Sequence, residues 1–361
     1  MGMVPQVRDD GRLWCLTRAS VREADPNEIV FIGASRIQLA LDTAVFVESL
    51  GRPAVQLAVN GSSCLPVLDH LSRSEFRGTV VCDVSPNVFF GGMDWHGGTA
   101  AEYVRLYENR TAVDLLEARL RFWVQTQTVL GLPELAPRHL IGSALRGEAP
   151  EPWYITRLPD RSVRADYRRT DVAALAEYRE QVTREEFRGV DADCLDRDLR
   201  DLEEAVARIQ GRGGRVVFLM MPVSGVIREI EDERFPRARY WDVLVARTKA
   251  VTIHYADYPS MQFTCPEGSH LDLRDSPAFT RALVDVLRQK LGESTAVGAA
   301  SARSMCELSV FRPGKTKTCP SAARPQQTSY ETACGRPSRR KPLQPQDRWD
   351  AGADAADPVN L

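Results

Sequence analysis

The apolar positions of this chain fall into short runs separated by amphipathic stretches. Glu28-Ile29-Val30-Phe31-Ile32-Gly33 is an apolar run closed by Gly, the pattern of a strand buried on both faces. From Ile37 to Leu50 the apolar residues return at helical spacing, until Gly51 and Pro53 stop them. The same alternation predicts further strands at Ala54–Val59, Thr79–Val84, Arg215–Met221 and Val251–Tyr255. It predicts helices at Leu65–Ser72, Asp198–Ile209, Trp241–Ala250 and Ser276–Leu291. Five strands that alternate with helices require parallel neighbours joined by crossovers. The predicted fold is therefore α/β, a doubly wound, flavodoxin-like five-stranded parallel sheet. Such sheets bind ligands at the carboxyl ends of their strands.

The alternation breaks from about Gly91 to Val190. This insertion, bounded at 91–196, has helical patterns at Thr99–Tyr107, Ala112–Leu130 and near Asp171–Glu186. Trp153 to Arg168 alternates around Pro159-Asp160, which predicts a hairpin. Long insertions at strand ends commonly form lids, so this one is expected to cover the cleft. Its Trp95, Trp123, Trp153 and Tyr154 either line a sugar or acyl site or pack in the core. Beyond Thr295 the periodicity ends. Pro, Ser, Arg, Gln and Ala mix there without a face to bury, and residues 295–361 are expected to be a disordered, basic, Pro-rich tail. The domain organisation predicted is thus 27–294 with insertion 91–196, followed by that tail.

Charge sharpens this division. The whole chain of 361 residues has a net charge of −2. The last 67 residues hold 10 Lys+Arg against 6 Asp+Glu, and the preceding 294 hold 37 against 43, a net of −6. An acidic globular body argues against a nucleic-acid partner. No run of 18 apolar residues is present, so no transmembrane segment is predicted. Met1 to Pro26 is charged and lacks the apolar stretch of a signal peptide. As written the chain reads as cytoplasmic; a true start further upstream would make it extracytoplasmic. The eight cysteines, Cys15, Cys64, Cys82, Cys194, Cys265, Cys306, Cys319 and Cys334, form no CxxC pair and match no zinc module. They are expected to be reduced, and neither a cofactor nor a metal site is predicted. The oligomeric state is left open.

Polar residues cluster at the predicted strand ends. Ser35 follows the first strand, where it serves either as a helix cap or as a group beside N–H donors that stabilise negative charge. Gly61 follows the second, as a plain turn or as a point of close backbone approach to a ligand. Asn87, after the third, builds an Asx turn or donates its amide to an oxyanion. His270 lies in Glu267-Gly268-Ser269-His270-Leu271, between the last strand and the last helix. It is either a surface histidine or a base that Glu267 orients.

In this order the four positions resemble the sequence blocks of the SGNH/GDSL hydrolase superfamily. The likeness covers roughly residues 27–90 and 197–292, and Glu-Gly-Ser-His-Leu is similar to a version found in relatives of bacterial cell-envelope acyl-transfer proteins. The resemblance implies Ser35 as nucleophile, His270 as base and Glu267 as the acid that holds the imidazole. It implies an oxyanion hole built from Ser35, Gly61 and Asn87. The sequence departs from the family at Ala34, Glu267 and the Ser85-Pro86-Asn87 block. The function expected is a serine-dependent ester hydrolase or O-acyltransferase acting on a small-molecule or carbohydrate ester. The alternatives are a non-catalytic SGNH-like binding or accessory module and a flavodoxin-like domain for a phosphorylated ligand.

Other features carry less. Gly314-Lys315-Thr316 lacks the earlier Gly of a phosphate loop, with Ser309 in its place. Asp94-Trp95-His96 has no further metal ligand at helical spacing and is expected at the rim of the site. Met220-Met221 is expected in the core, His70, His139 and His254 in structural roles, and Arg36 on a helix surface.

Overall fold

The computed structural model describes residues 5–91, 95–129, 153–186 and 192–292, together with 135, 140, 141 and 145. The chain divides into two units at Ser294/Thr295, and everything described belongs to the first. The predicted tail, its Gly314-Lys315-Thr316 motif, Asp94 and His139 lie outside the described residues.

Five parallel strands form the sheet: β1 (Ile29–Ile32), β2 (Ala54–Gln56), β3 (Thr79–Asp83), β6 (Arg215–Met220) and β7 (Val251–His254), in the order β2-β1-β3-β6-β7. The predicted doubly wound α/β fold is present. Every residue of β1 and β3 is buried, and in β6 only Arg215 is exposed. Apolar runs form these strands because both of their faces are covered by helices. Ile29 pairs with Ala54 on one side and with Thr79 on the other, so β1 and β3 end side by side. The chain leaves β1 for β2 on one side, then crosses back to β3 on the other. That reversal is the switch point at which a crevice opens.

The helices of the frame are α2 (Ser35–Ala40), α3 (Thr43–Leu50), α4 (Leu65–Arg73), α5 (Pro86–Phe90), α9 (Ala192–Gly211), α10 (Gly225–Arg234), α11 (Trp241–Arg247) and α12 (Ser276–Leu291). α12 packs on α2 and α3, while α4 and α9 pack together. The single helix predicted at 37–50 is two. Asp42 interrupts it, its side chain accepting from the Val45 N–H at 3.2 Å as the cap of α3.

Besides the short α5, two helices are absent from the sequence expectation. α1 (Gly11–Ser20) lies in the charged N-terminal stretch, outside the predicted start at residue 27. Asp10 caps it, and Trp14 is fully buried with its indole N–H donating to the Leu57 carbonyl at 2.9 Å. α10 is the other. Only Ile227, Ile230 and Glu231 are buried on it, too sparse a stripe to stand out.

The insertion contains α6 (Gly98–Glu108), α7 (Ala112–Gln127), an antiparallel hairpin of β4 (Ile155–Arg157) and β5 (Val163–Ala165), and α8 (Val172–Glu186). These match the predicted elements. Arg161, in the hairpin turn, has a left-handed φ of 67° and is 1% exposed. Its guanidinium donates to the Gln56 carbonyl at 2.8 Å, the Ala58 carbonyl at 2.9 Å and Asp9 at 2.7 Å. One arginine thus ties the hairpin to the carboxyl end of β2 and to the N-terminal segment. Among the described residues no helix is long and apolar enough to cross a membrane. Cys15, Cys64, Cys82 and Cys265 are buried free thiols.

Removing a buried charge leaves its partners unsatisfied. Arg161→Ala is expected to lower stability by about 3 kcal/mol, read from the urea-unfolding midpoint at constant m.

Candidate active site

The site begins where β1 stops. Gly33 has φ +153°, and a Cβ there would lie 2.4 Å from the Cβ of Asp83. Only glycine lets the chain pass this close to the end of β3. Ala34 is extended, and Ser35 starts α2, half-buried. A first helical residue has no intrahelical acceptor for its N–H, so that donor faces outward from the helix.

His270 arrives from the loop before α12. Gly268 shapes this loop with φ +92°, and its N–H donates to the Cys265 carbonyl at 3.0 Å. The Ser224 N–H donates to the Gly268 carbonyl at 2.9 Å, and the Ser224 hydroxyl accepts from the Cys265 N–H at 2.9 Å. The loop is thereby docked on the start of α10.

Three predicted residues come together. Ser35 Oγ lies 2.8 Å from His270 Nε2, and His270 Nδ1 lies 2.5 Å from Glu267 Oε1. Both His270 and Glu267 are 3% exposed. Burial holds the imidazole below its usual pKa, against the pull of Glu267, and the Arg179 and Arg36 charges add to that lowering. Burial alone would raise Glu267; the His270 and Arg179 charges and the hydrogen bonds from His270 and Tyr167 outweigh it and bring it to about 2. At neutral pH Glu267 is therefore an anion. An anionic carboxylate only accepts, so Nδ1–H donates to it and Nε2 is left to accept the Ser35 O–H.

Glu267 has two further partners, both from the insertion. Tyr167, in a short 3-10 turn after the hairpin (Tyr167–Arg169), donates its hydroxyl to Glu267 Oε1 at 3.1 Å. Arg179 on α8 pairs with Oε2 at 3.3 Å. Tyr154 stacks at a tilt on Tyr167, with centroids 5.9 Å apart. The insertion therefore supports the acid from behind. Trp123 has a different place: it is 55% exposed on α7, neither in the site nor in the core.

Two more ionic groups flank the serine. Arg36 is buried, not on the helix surface as expected. It forms a two-pronged pair with Glu231 of α10 and donates from Nε to the Ser269 hydroxyl at 3.2 Å. Burial opposes its charge, but the Glu231 carboxylate keeps it firmly protonated. Asp83 is 2% exposed; its Oδ2 accepts from the Ala34 N–H at 3.4 Å and the Ser85 hydroxyl at 3.0 Å, while Oδ1 has no hydrogen-bond partner among the described residues. Burial pushes its carboxyl up to about 6, with Arg36 limiting the rise.

The expected oxyanion donors are less tightly joined to this group. Gly61 is exposed with φ +62°. The chain before it is tied to the turn that leads into Ser35, since the Val59 N–H donates to the Gly33 carbonyl at 2.9 Å. Asn87 is half-buried in α5, and none of the described hydrogen bonds links its side chain to Ser35 or His270. Among the described residues no group of three or more metal-ligating side chains occurs.

Asp83, Tyr167, Arg179 and Glu231 were not singled out in the sequence. Asp83 carried one signal, an acid closing an otherwise apolar strand. The other three sit in polar helix or loop sequence and carried none.

Asp83 binds its proton more tightly when folded, so its contribution to stability falls as pH rises from 3.8 towards about 6. Asp83→Asn removes that dependence. Urea unfolding between pH 4 and pH 7 is expected to show the variant gaining about 2 kcal/mol relative to wild type as pH rises. No protein-family model matches the chain, and a search of curated proteins finds no match.

Proposed function

We propose that the protein is a serine-dependent ester hydrolase or O-acyltransferase that works through an acyl-enzyme on Ser35. The observation that carries this reading is the continuous hydrogen-bonded chain Ser35–His270–Glu267, at 2.8 and 2.5 Å. A serine hydroxyl is a weak nucleophile until a base within reach takes its proton, and a base works best when a third group holds it. The ordered likeness of Ser35, Gly61, Asn87 and Glu267–His270 to the SGNH/GDSL superfamily supports the same reading.

In this mechanism His270 Nε2 removes the Ser35 proton as Oγ attacks the ester carbonyl carbon. The carbonyl oxygen takes up the negative charge. The N–H groups of Ser35 and Gly61 and the Asn87 amide are the donors assigned to it; one such donor contributes about 2.7–4 kcal/mol to barrier lowering. The tetrahedral species collapses as the C–O bond of the leaving alcohol breaks, and His270 returns the proton to that alcohol. Water then releases the acid, or an acceptor hydroxyl takes the acyl group by the same steps in reverse. Glu267 stays ionised and stabilises the imidazolium formed in each half.

Ser35→Ala is expected to lower turnover of p-nitrophenyl acetate by at least about 10³-fold and to abolish labelling by a fluorophosphonate. Full activity in that variant would overturn the proposal. His270 must be neutral to act, and burial holds it below 6.5, so kcat/KM is expected to rise with pH along a limb centred below 6.5. Tyr167→Phe removes a donor from Glu267. The carboxylate then holds the imidazolium more strongly, and the limb is expected to move to higher pH as kcat falls several-fold.

A further inference from the structure

Helix α7 presents an apolar face to solvent. Ala118 is buried on its inner side, where α7 packs on α1. On the outer side Val113, Leu116, Leu120, Trp123 and Val124 are 72%, 57%, 58%, 55% and 51% exposed. At 3.6 residues per turn these five positions fall in one stripe about 100° wide. Isolated exposed apolar residues are ordinary, but a continuous stripe of this kind marks a contact surface.

The charges beside the stripe identify the occupant. Glu117 and Arg121 stand one turn apart on the same shoulder. Glu117 pairs with Arg12 and Arg121 with Asp10, both on the α1 side, yet they remain 49% and 45% exposed. Each keeps capacity for a second partner of opposite charge. The remaining charges of α7 are Asp114 and Arg119, so the helix is neutral and carries no basic cluster to draw it to an anionic lipid surface.

We propose that this stripe is the interface of a homodimer, in which α7 of one copy lies antiparallel on α7 of a second copy about a two-fold axis at Leu120. A two-fold of this kind brings the same shoulder of both helices together and reverses one of them. With a rise of 1.5 Å per residue, Glu117 of each copy then lies about 3 Å along the axis from Arg121 of the other. Leu120 meets Leu120, and Leu116 faces Val124. Parallel pairing about a two-fold would put the Glu117–Arg121 shoulders of the two copies on opposite sides of the seam, where these charges do not meet.

The test is sedimentation equilibrium on the full chain at tens of micromolar. The expected mass is twice the 40.3 kDa of one chain, reduced to one chain in Leu120→Glu with an unchanged circular dichroism spectrum. Leu120→Cys is expected to form a 120–120 disulfide under mild oxidation, identified by mass spectrometry of the linked peptide. Val113→Cys is not expected to do so, because the two copies of residue 113 would lie about 21 Å apart along the axis. A single-chain mass for wild type, or an undiminished dimer in Leu120→Glu, overturns the proposal. So does a Val113→Cys cross-link, which would mean parallel pairing. Two other outcomes also overturn it: a full chain that is monomeric but dimerises when ended at Ser294, and a monomer whose stripe-dependent binding is to phospholipid vesicles.

Discussion

A carboxylate that is 3% exposed stays ionised only when other groups replace the water it has lost. Glu267 meets this constraint with three partners from separate parts of the chain. His270 belongs to its own loop, Tyr167 follows the hairpin, and Arg179 rides on α8. The candidate site is therefore not complete on the five-stranded frame alone. The insertion supplies two of the three groups that keep the acid charged, and Arg161 secures the hairpin of that insertion to β2. Tyr167 and Arg179 make this part of the insertion a buttress behind the acid.

The serine side of the site depends on close approach. Gly33 passes so near Asp83 that no side chain fits, and this brings the start of α2 against the end of β3. Arg36, one residue beyond Ser35, is held in place by Glu231 and Ser269. His270 thus has an anion behind it at Glu267 and two cations nearby at Arg36 and Arg179. Burial and the cations favour its neutral form, while Glu267 favours the charged one. That balance suits a group that must accept a proton and then give it back.

Much of the frame was legible in the sequence. β1, β3 and β6 are buried on both faces, and that demands an apolar run with little room for exceptions. Ser276–Leu291 was predicted with the bounds that α12 has, because its apolar stripe ends at Gly292 in a left-handed cap. Ser35, Glu267 and His270 were legible because each stands at an element end where a polar residue needs a reason. α1 was not, since the 10-residue segment mixes Arg12, Arg18 and Ser20 with its buried Leu13 and Trp14, and Arg18 itself is buried. The break at Asp42 was hidden for a related reason: an acid within an apolar period looks like an exposed helical position until its side chain is seen capping the next turn.

The sequence by itself determined the five strands of the sheet and those helices with a clear apolar stripe, and which polar residues stand at the ends of strands. Burial of apolar area acts residue by residue and leaves a period that can be read locally. Tertiary structure alone decided that Ser35 and His270, 235 positions apart, lie within one hydrogen bond of each other. It alone decided that Tyr167, Arg179, Asp83 and Glu231 belong with them, and that the apolar side of α7 faces out. Ion pairs and hydrogen bonds act over a few ångströms between residues distant in the chain, and such pairings leave no period along it.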